Sequence, residues 1–168
     1  MPEFRFPSTP RERQTLVLTP AKLESLREWA TEGTGVTAAA LVTDSSNRIA
    51  LVENTWSDGW ILPGGGVEAG ERPADAAKRE VREETGLDAS IHEPVVVVDQ
   101  TYTSAENGEP WFSALYVAYA ASADGDIPDA DELGVSEGEI TAARWFDSLP
   151  ETLHDDDLLR PYLVEHLG

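Results

Sequence analysis

The chain has no cysteine and only two lysines, Lys22 and Lys78, among 168 residues. Without cysteine there is no disulfide, no thiolate nucleophile and no zinc–thiolate centre. No apolar run reaches the length of a membrane span, and Met1–Pro10 does not resemble a signal peptide. A cytoplasmic protein is the simplest expectation. Positive charge is scarce: 12 basic against 32 acidic residues leave a formal net charge of −20. That balance argues against sequence-independent binding to nucleic acid and against an anionic membrane surface. The three histidines, His92, His154 and His166, follow no metal-ligand spacing and are assigned no role.

What the chain does contain fits one globular domain. It is 40% hydrophobic with five tryptophans, enough to bury a core rather than stay disordered. Gln14–Leu18 reads as a short strand. Thr19 and Pro20 open a helix to about Thr31, with Thr19 as cap and Pro20 in the first position. Its apolar stripe, Leu23, Leu26 and Ala30, covers the domain or, alternatively, forms a homodimer interface. Gly33–Gly35 reads as a linker. Val36–Thr43 and Ile49–Glu53 are expected strands around a polar turn, and Val95–Tyr102 and Trp111–Ala121 an expected hairpin. Thr141–Phe146 is a further strand, and Leu149–Leu153 and Leu158–Leu167 are expected helices.

Between Gly65 and Leu87 lies a 23-residue stretch, GGVEAGERPADAAKREVREETGL. Pro73 suits a first helical turn, where its missing N–H has no intrahelical partner. Strong helix formers continue to Glu84, and Gly86 sits where a left-handed residue ends a helix. At about 100° per residue Glu80, Glu83 and Glu84 share one face. Like charges about 4 Å apart at an effective dielectric of about 20 repel by roughly 4 kcal/mol. Such a cluster needs a cation or raised pKa values. Hard oxygen ligands with room for water and phosphate suit Mg²⁺, with Mn²⁺ a substitute. In an acidic chain three glutamates are ordinarily a solvated face. The same stretch holds Gly65, Glu71, Arg79 and Gly86 around these three acids. Arg79 can fix a carboxylate by a bidentate contact. Glu71 can meet the helix dipole or loop amides. Gly64, Gly65 and Gly66 permit unusual dihedrals and close approach to a ligand.

The stretch fills every fixed position of G-x5-E-x7-R-E-U-x-E-E-x-G-U, with U aliphatic, and so resembles the signature of the Nudix (MutT-like) hydrolase family. The resemblance spans about Val36 to Leu149. It implies an α/β fold, an α/β/α sandwich with a mixed sheet carrying a loop–helix–loop catalytic cassette. Residues 1–35 then form an N-terminal extension and 36–168 the hydrolase domain. It implies a Mg²⁺-dependent pyrophosphohydrolase acting on a nucleoside diphosphate linked to another moiety: a nucleoside triphosphate, ADP-ribose, a nucleotide sugar or a dinucleoside polyphosphate. A nucleotide-binding sensor without turnover is the alternative. Glu80, Glu83 and Glu84 would be metal ligands, the Gly64 carbonyl a further one, and Arg79 would orient them. The general base would be a cassette glutamate such as Glu83, or an outer acid in Asp124–Glu139: Glu139 first, then Glu137 and Glu132. Trp56, Tyr102, Trp111 and Phe112 are candidates for stacking on a nucleobase. Arg48, Arg72 and Arg82 are candidates for offsetting the negative field around an anionic substrate. Acid excess with scarce lysine also resembles proteins of extreme halophiles, so stability is expected to rise in molar salt, where the Debye length is only about 3 Å.

Overall fold

The computed structural model describes residues 4–57, 59–135 and 138–167. In chain order the elements are β1 (Arg11–Leu18), α1 (Pro20–Thr31), β2 (Val36–Thr43), β3 (Ile49–Asn54), β4 (Gly64–Gly66), α2 (Pro73–Thr85), β5 (Ser90–Ser104), β6 (Pro110–Ser122), β7 (Ile140–Phe146) and α3 (Asp156–Leu167). The strands form one sheet in the order β1-β5-β6-β2-β3-β7, with β4 paired to β2. β1 runs parallel to β5 and β2 parallel to β6, while the remaining pairs are antiparallel. The sheet is therefore mixed.

β2 shows how the two faces are covered. Its residues alternate, as strand geometry requires. Ala38, Ala40 and Val42 turn toward α2, joining Ala76, Ala77 and Val81. Ala39 and Leu41 turn the other way and join Leu159 and Leu163 of α3. A central strand covered on both sides reads as a continuous apolar run, and VTAAALVT does so. Helices on both faces make the molecule an α/β/α sandwich. Fully buried Ala76 and Ala77 let α2 lie close to the sheet.

α1 begins as its sequence predicts: Lys22 N–H donates to Thr19 Oγ1 at 3.3 Å. Its Leu23 and Ala30 are buried against Tyr102 and Phe112 of the β5–β6 hairpin. The helix stripe is thus used within the chain.

Three expectations are corrected. Leu149–Leu153 is not helical. Leu153 forms a parallel bridge with Trp60, and Trp60 N–H donates to Thr152 O at 2.8 Å. Pairing with the Trp60 segment and burial of Leu153 outweigh the helical spacing of two leucines. Gly33–Gly35 is not a free linker either. Thr34 is buried and donates its hydroxyl to Val67 O at 2.6 Å, while Gly35 O accepts from Leu115 N–H. Finally, Gly64–Gly66 is a short strand against Thr37–Ala39, and none of the three glycines has a positive φ.

Candidate active site

The glycines of β4 are required by close approach. A Cβ on Gly64 would lie 2.6 Å from both Ala38 O and Ala39 Cβ, and one on Gly65 would lie 2.4 Å from Glu80 Oε1. β4 therefore lets the acidic face of α2 press directly against backbone. α2 starts at Pro73 and stops at Gly86, whose φ of 76° and N–H to Arg82 O make the left-handed cap.

Arg79 organises the acids. Its Nε and Nη2 make a bidentate pair with Glu71, each at 2.9 Å. Nη1 reaches Glu80 Oε1 at 2.9 Å and both oxygens of Glu83 at 3.4 Å. Nη2 also donates to Gly66 O at 3.0 Å. The fork thus takes an acid eight residues earlier as its bidentate partner, while the helical neighbour Glu83 is reached by Nη1 alone. Its hydrogen bonds hold the Glu71 carboxyl below the usual range, and those acids in turn raise the Arg79 pKa. Glu71 also accepts the Glu68 amide at 3.0 Å, closing the loop before the helix.

Glu84 sits differently. It is 7% exposed and accepts the Gly64 N–H at 2.9 Å. Desolvation, with added repulsion from Glu80, Glu139 and Glu83, pushes its carboxyl up to about 8 despite that hydrogen bond. Burial also raises Glu80, against the lowering effect of Arg79. A nearly buried carboxylate surrounded by other acids is a donor set that fits a hard divalent cation. Arg79 holds the carboxylates of Glu80 and Glu83, and the Gly64 N–H that of Glu84. Among the described residues, the acids whose ligand atoms all lie within 4.8 Å of one another are instead Asp129, Asp131 and Glu132, exposed on a short 3-10 turn.

The loop before β7 docks onto the end of α2. Gly134 N–H donates to Glu83 O at 2.6 Å, and Val135 N–H donates to Glu139 Oε2 at 2.5 Å. Glu139 is thereby close enough to act electrostatically on Glu80 and Glu84. Glu132 belongs to the exposed trio, and Glu137 lies outside the described residues. Arg48 and Arg72 are engaged elsewhere, with Asp44 at 2.8 Å and Asp75 at 2.9 Å.

A cavity of about 650 Å³ is lined on its cassette side by Gly64, Gly65, Gly66 and Glu84. Tyr102 lines it, paired with Phe112 at 5.2 Å between ring centroids. Trp56 lines it too, 65% exposed and edge-on to His154 at 5.3 Å. Trp111 and Phe112 are not in the lining; Trp111 lies under the Arg27 guanidinium at 4.7 Å. Among the other lining residues, several were given no site role from sequence: Gln14 of β1, Lys22 and Trp29 of α1, Gln100 of β5, and His154 with Asp155 before α3. The one available signal was Gln100, a polar residue in strand phase with Val96, Val98 and Tyr102 and so on the same face of β5.

An α/β/α sandwich with an arginine-organised acidic helix against a glycine strand defines a class, and comparison supplies the family. The NUDIX domain model matches residues 33–160. The chain belongs to the Nudix domain family. It is similar to diphosphoinositol polyphosphate phosphohydrolase 2 of Rattus norvegicus, 38% identical over 73 residues, covering 42% of this chain and 41% of that protein. The chain thus spans less than half the length of that curated relative. A solved MutT NUDIX hydrolase from Burkholderia pseudomallei is 28% identical with a TM-score of 0.53, covering 77% of this chain and 95% of the other. A UDP-X diphosphatase structure shares the fold at 24% identity and a TM-score of 0.55, covering 89% of this chain and 70% of the other.

Proposed function

We propose that the chain is a Mg²⁺-dependent hydrolase, accepting Mn²⁺ as a substitute, that splits a phosphoanhydride bond in a nucleoside diphosphate linked to another moiety. The observation that carries this reading is the convergence of Glu71, Glu80, Glu83 and Glu84 on Arg79 and β4, beside a cavity of about 650 Å³. That volume is within the usual range for a small-molecule site.

In this reading Glu80, Glu83 and Glu84, with the Gly64 carbonyl, hold the ion. A bound divalent cation would offset phosphate charge and make coordinated water more acidic. The protein's own groups do the rest. Arg79 is a positioning residue, fixing Glu71 and Glu80 so that the acidic face stays in place. Glu83, or Glu139 from the docked loop, accepts the proton of the attacking water, a contribution of about 10²–10⁴-fold. Trp56 and Tyr102 offer aromatic faces to the substrate. Residues 36–168 carry the hydrolytic core, and the extension 1–35 walls the cavity. The acid excess makes this an enzyme for high salt, working in the cytoplasm.

The test is a panel of nucleoside triphosphates, ADP-ribose, nucleotide sugars and dinucleoside polyphosphates, with Mg²⁺ or EDTA, in molar KCl. Nucleoside monophosphate released only with metal is expected. Binding without turnover across the panel would refute the enzyme and leave a nucleotide sensor.

A further inference from the structure

Of the wall contributed by β1, α1 and β5 the proposed hydrolysis uses only Tyr102, yet that wall carries polar atoms with no partner inside the protein. Gln14 and Gln100 are register partners across the parallel β1–β5 pair. Gln100 donates Nε2–H to Gln14 Oε1 at 3.0 Å. Its own Oε1 has no hydrogen-bond partner, although the residue is only 9% exposed. Trp29 Nε1 is likewise buried and without a partner. It lies 3.2 Å from where a Cβ on Gly66 would stand. One acceptor and one donor, each costly to leave unsatisfied, therefore belong to residues lining the same cavity. Leu16, Leu26, Tyr102 and Tyr116 give that part of the lining its apolar faces.

Charge narrows the occupant. The described lining holds one lysine, Lys22, and one histidine, His154, against the carboxylates of Glu84 and Asp155, and no arginine. A polyphosphorylated inositol needs several cations and offers no flat apolar face. A heteroaromatic base has both a stacking face and an edge of N–H and lone-pair groups.

Resting on the reading of the chain as a diphosphate hydrolase, we infer that this wall is the specificity subsite: it holds the base of a nucleoside diphosphate, with Gln100, steadied by Gln14, hydrogen-bonding the base edge. A small turn of the Gln100 amide brings Oε1 to the ligand. Trp29 N–H donates to an oxygen of the same substrate next to β4. Gln100 of β5, with Gln14 and Trp29 of the N-terminal extension, thus sets what is hydrolysed, while the cassette sets how.

The experiment compares Gln100→Leu and Gln14→Leu with the unaltered chain on two substrates. One is the best nucleoside diphosphate derivative from the panel, and the other is an abasic analogue with hydrogen in place of the base. The ratio of the two kcat/KM values should fall about tenfold in Gln100→Leu, the worth of one hydrogen bond, chiefly through KM. A variant that merely folds poorly lowers both rates together and leaves the ratio intact, so an intact ratio overturns the inference. Calorimetry of metal-free protein with nucleoside monophosphates and with inositol hexakisphosphate tests the subsite without turnover. Binding of a monophosphate that weakens in Gln100→Leu supports it; tighter binding of the inositol phosphate overturns it. If no diphosphate is hydrolysed but the monophosphate binds through Gln100, the enzyme reading fails and the subsite stands.

Discussion

In metal-free protein, Glu84 should make stability fall as pH rises. Its carboxyl is carried from an ordinary value of 4.5 to about 8, chiefly by burial. The sign follows from proton linkage. Below about pH 4.5 both folded and unfolded chains keep the proton, and Glu84 contributes nothing. Between about 4.5 and 8 the unfolded chain ionises while the folded one stays protonated, so stability drops; above 8 the loss is complete. At about 1.4 kcal/mol per pH unit, the full loss is on the order of 4–5 kcal/mol. For a chain of this size that corresponds to a melting shift on the order of 10 °C. Glu84→Gln removes the titration and can still accept the Gly64 N–H. Melts in EDTA and molar KCl at pH 5.5 and 8 should therefore show the variant gaining relative to the unaltered protein at pH 8, with a smaller difference at pH 5.5. Subtracting the variant's own pH dependence removes the histidines. A variant less stable at pH 8, or the same difference at both values, would refute the account of Glu84 as a desolvated acid.

Glu83→Gln and Glu84→Gln should each lower turnover by at least about 10²-fold. Glu24→Gln, on an exposed face paired with Arg27, should leave it almost untouched. Near-normal rates in both cassette variants would remove the mechanism. Gly65→Ala puts a methyl group 2.4 Å from the observed Glu80 Oε1, so Mg²⁺ affinity measured by calorimetry should drop at least about tenfold. An unchanged affinity would mean Glu80 does not hold the ion in this rotamer. With a net charge of −20, the thermal midpoint should climb as KCl is raised toward molar concentrations; a steady decline would contradict the screening argument.

Local signals made the cassette helix legible: Pro73 at its first position, Gly86 as a left-handed stop, and helix formers between. The β5–β6 hairpin was legible from its apolar runs, though its strands extend further, to Ser104 and Pro110, because pairing continues until the turn itself. Errors arose where tertiary pairing overrode local pattern. Leu149–Leu153 has helical spacing but is drawn out by Trp60, 93 residues before Leu153 in chain order. The triple glycine looked like a loop needing special dihedrals, but its role is steric, letting Ala39 and Glu80 approach. Arg79 does reach Glu83, at 3.4 Å, but its bidentate grip falls on Glu71, which the chain's return through Gly66–Glu71 brings within 2.9 Å. The cavity wall was least legible of all. Gln14 and Gln100 are 86 residues apart in sequence, and only the parallel register of β1 on β5 makes them neighbours.

The most direct measurement is a crystal soaked in Mn²⁺ and located by anomalous scattering. An ion within about 2.2 Å of carboxylate oxygens from Glu80, Glu83 and Glu84 is expected. No ion there, or one found only at Asp129, Asp131 and Glu132, would contradict it.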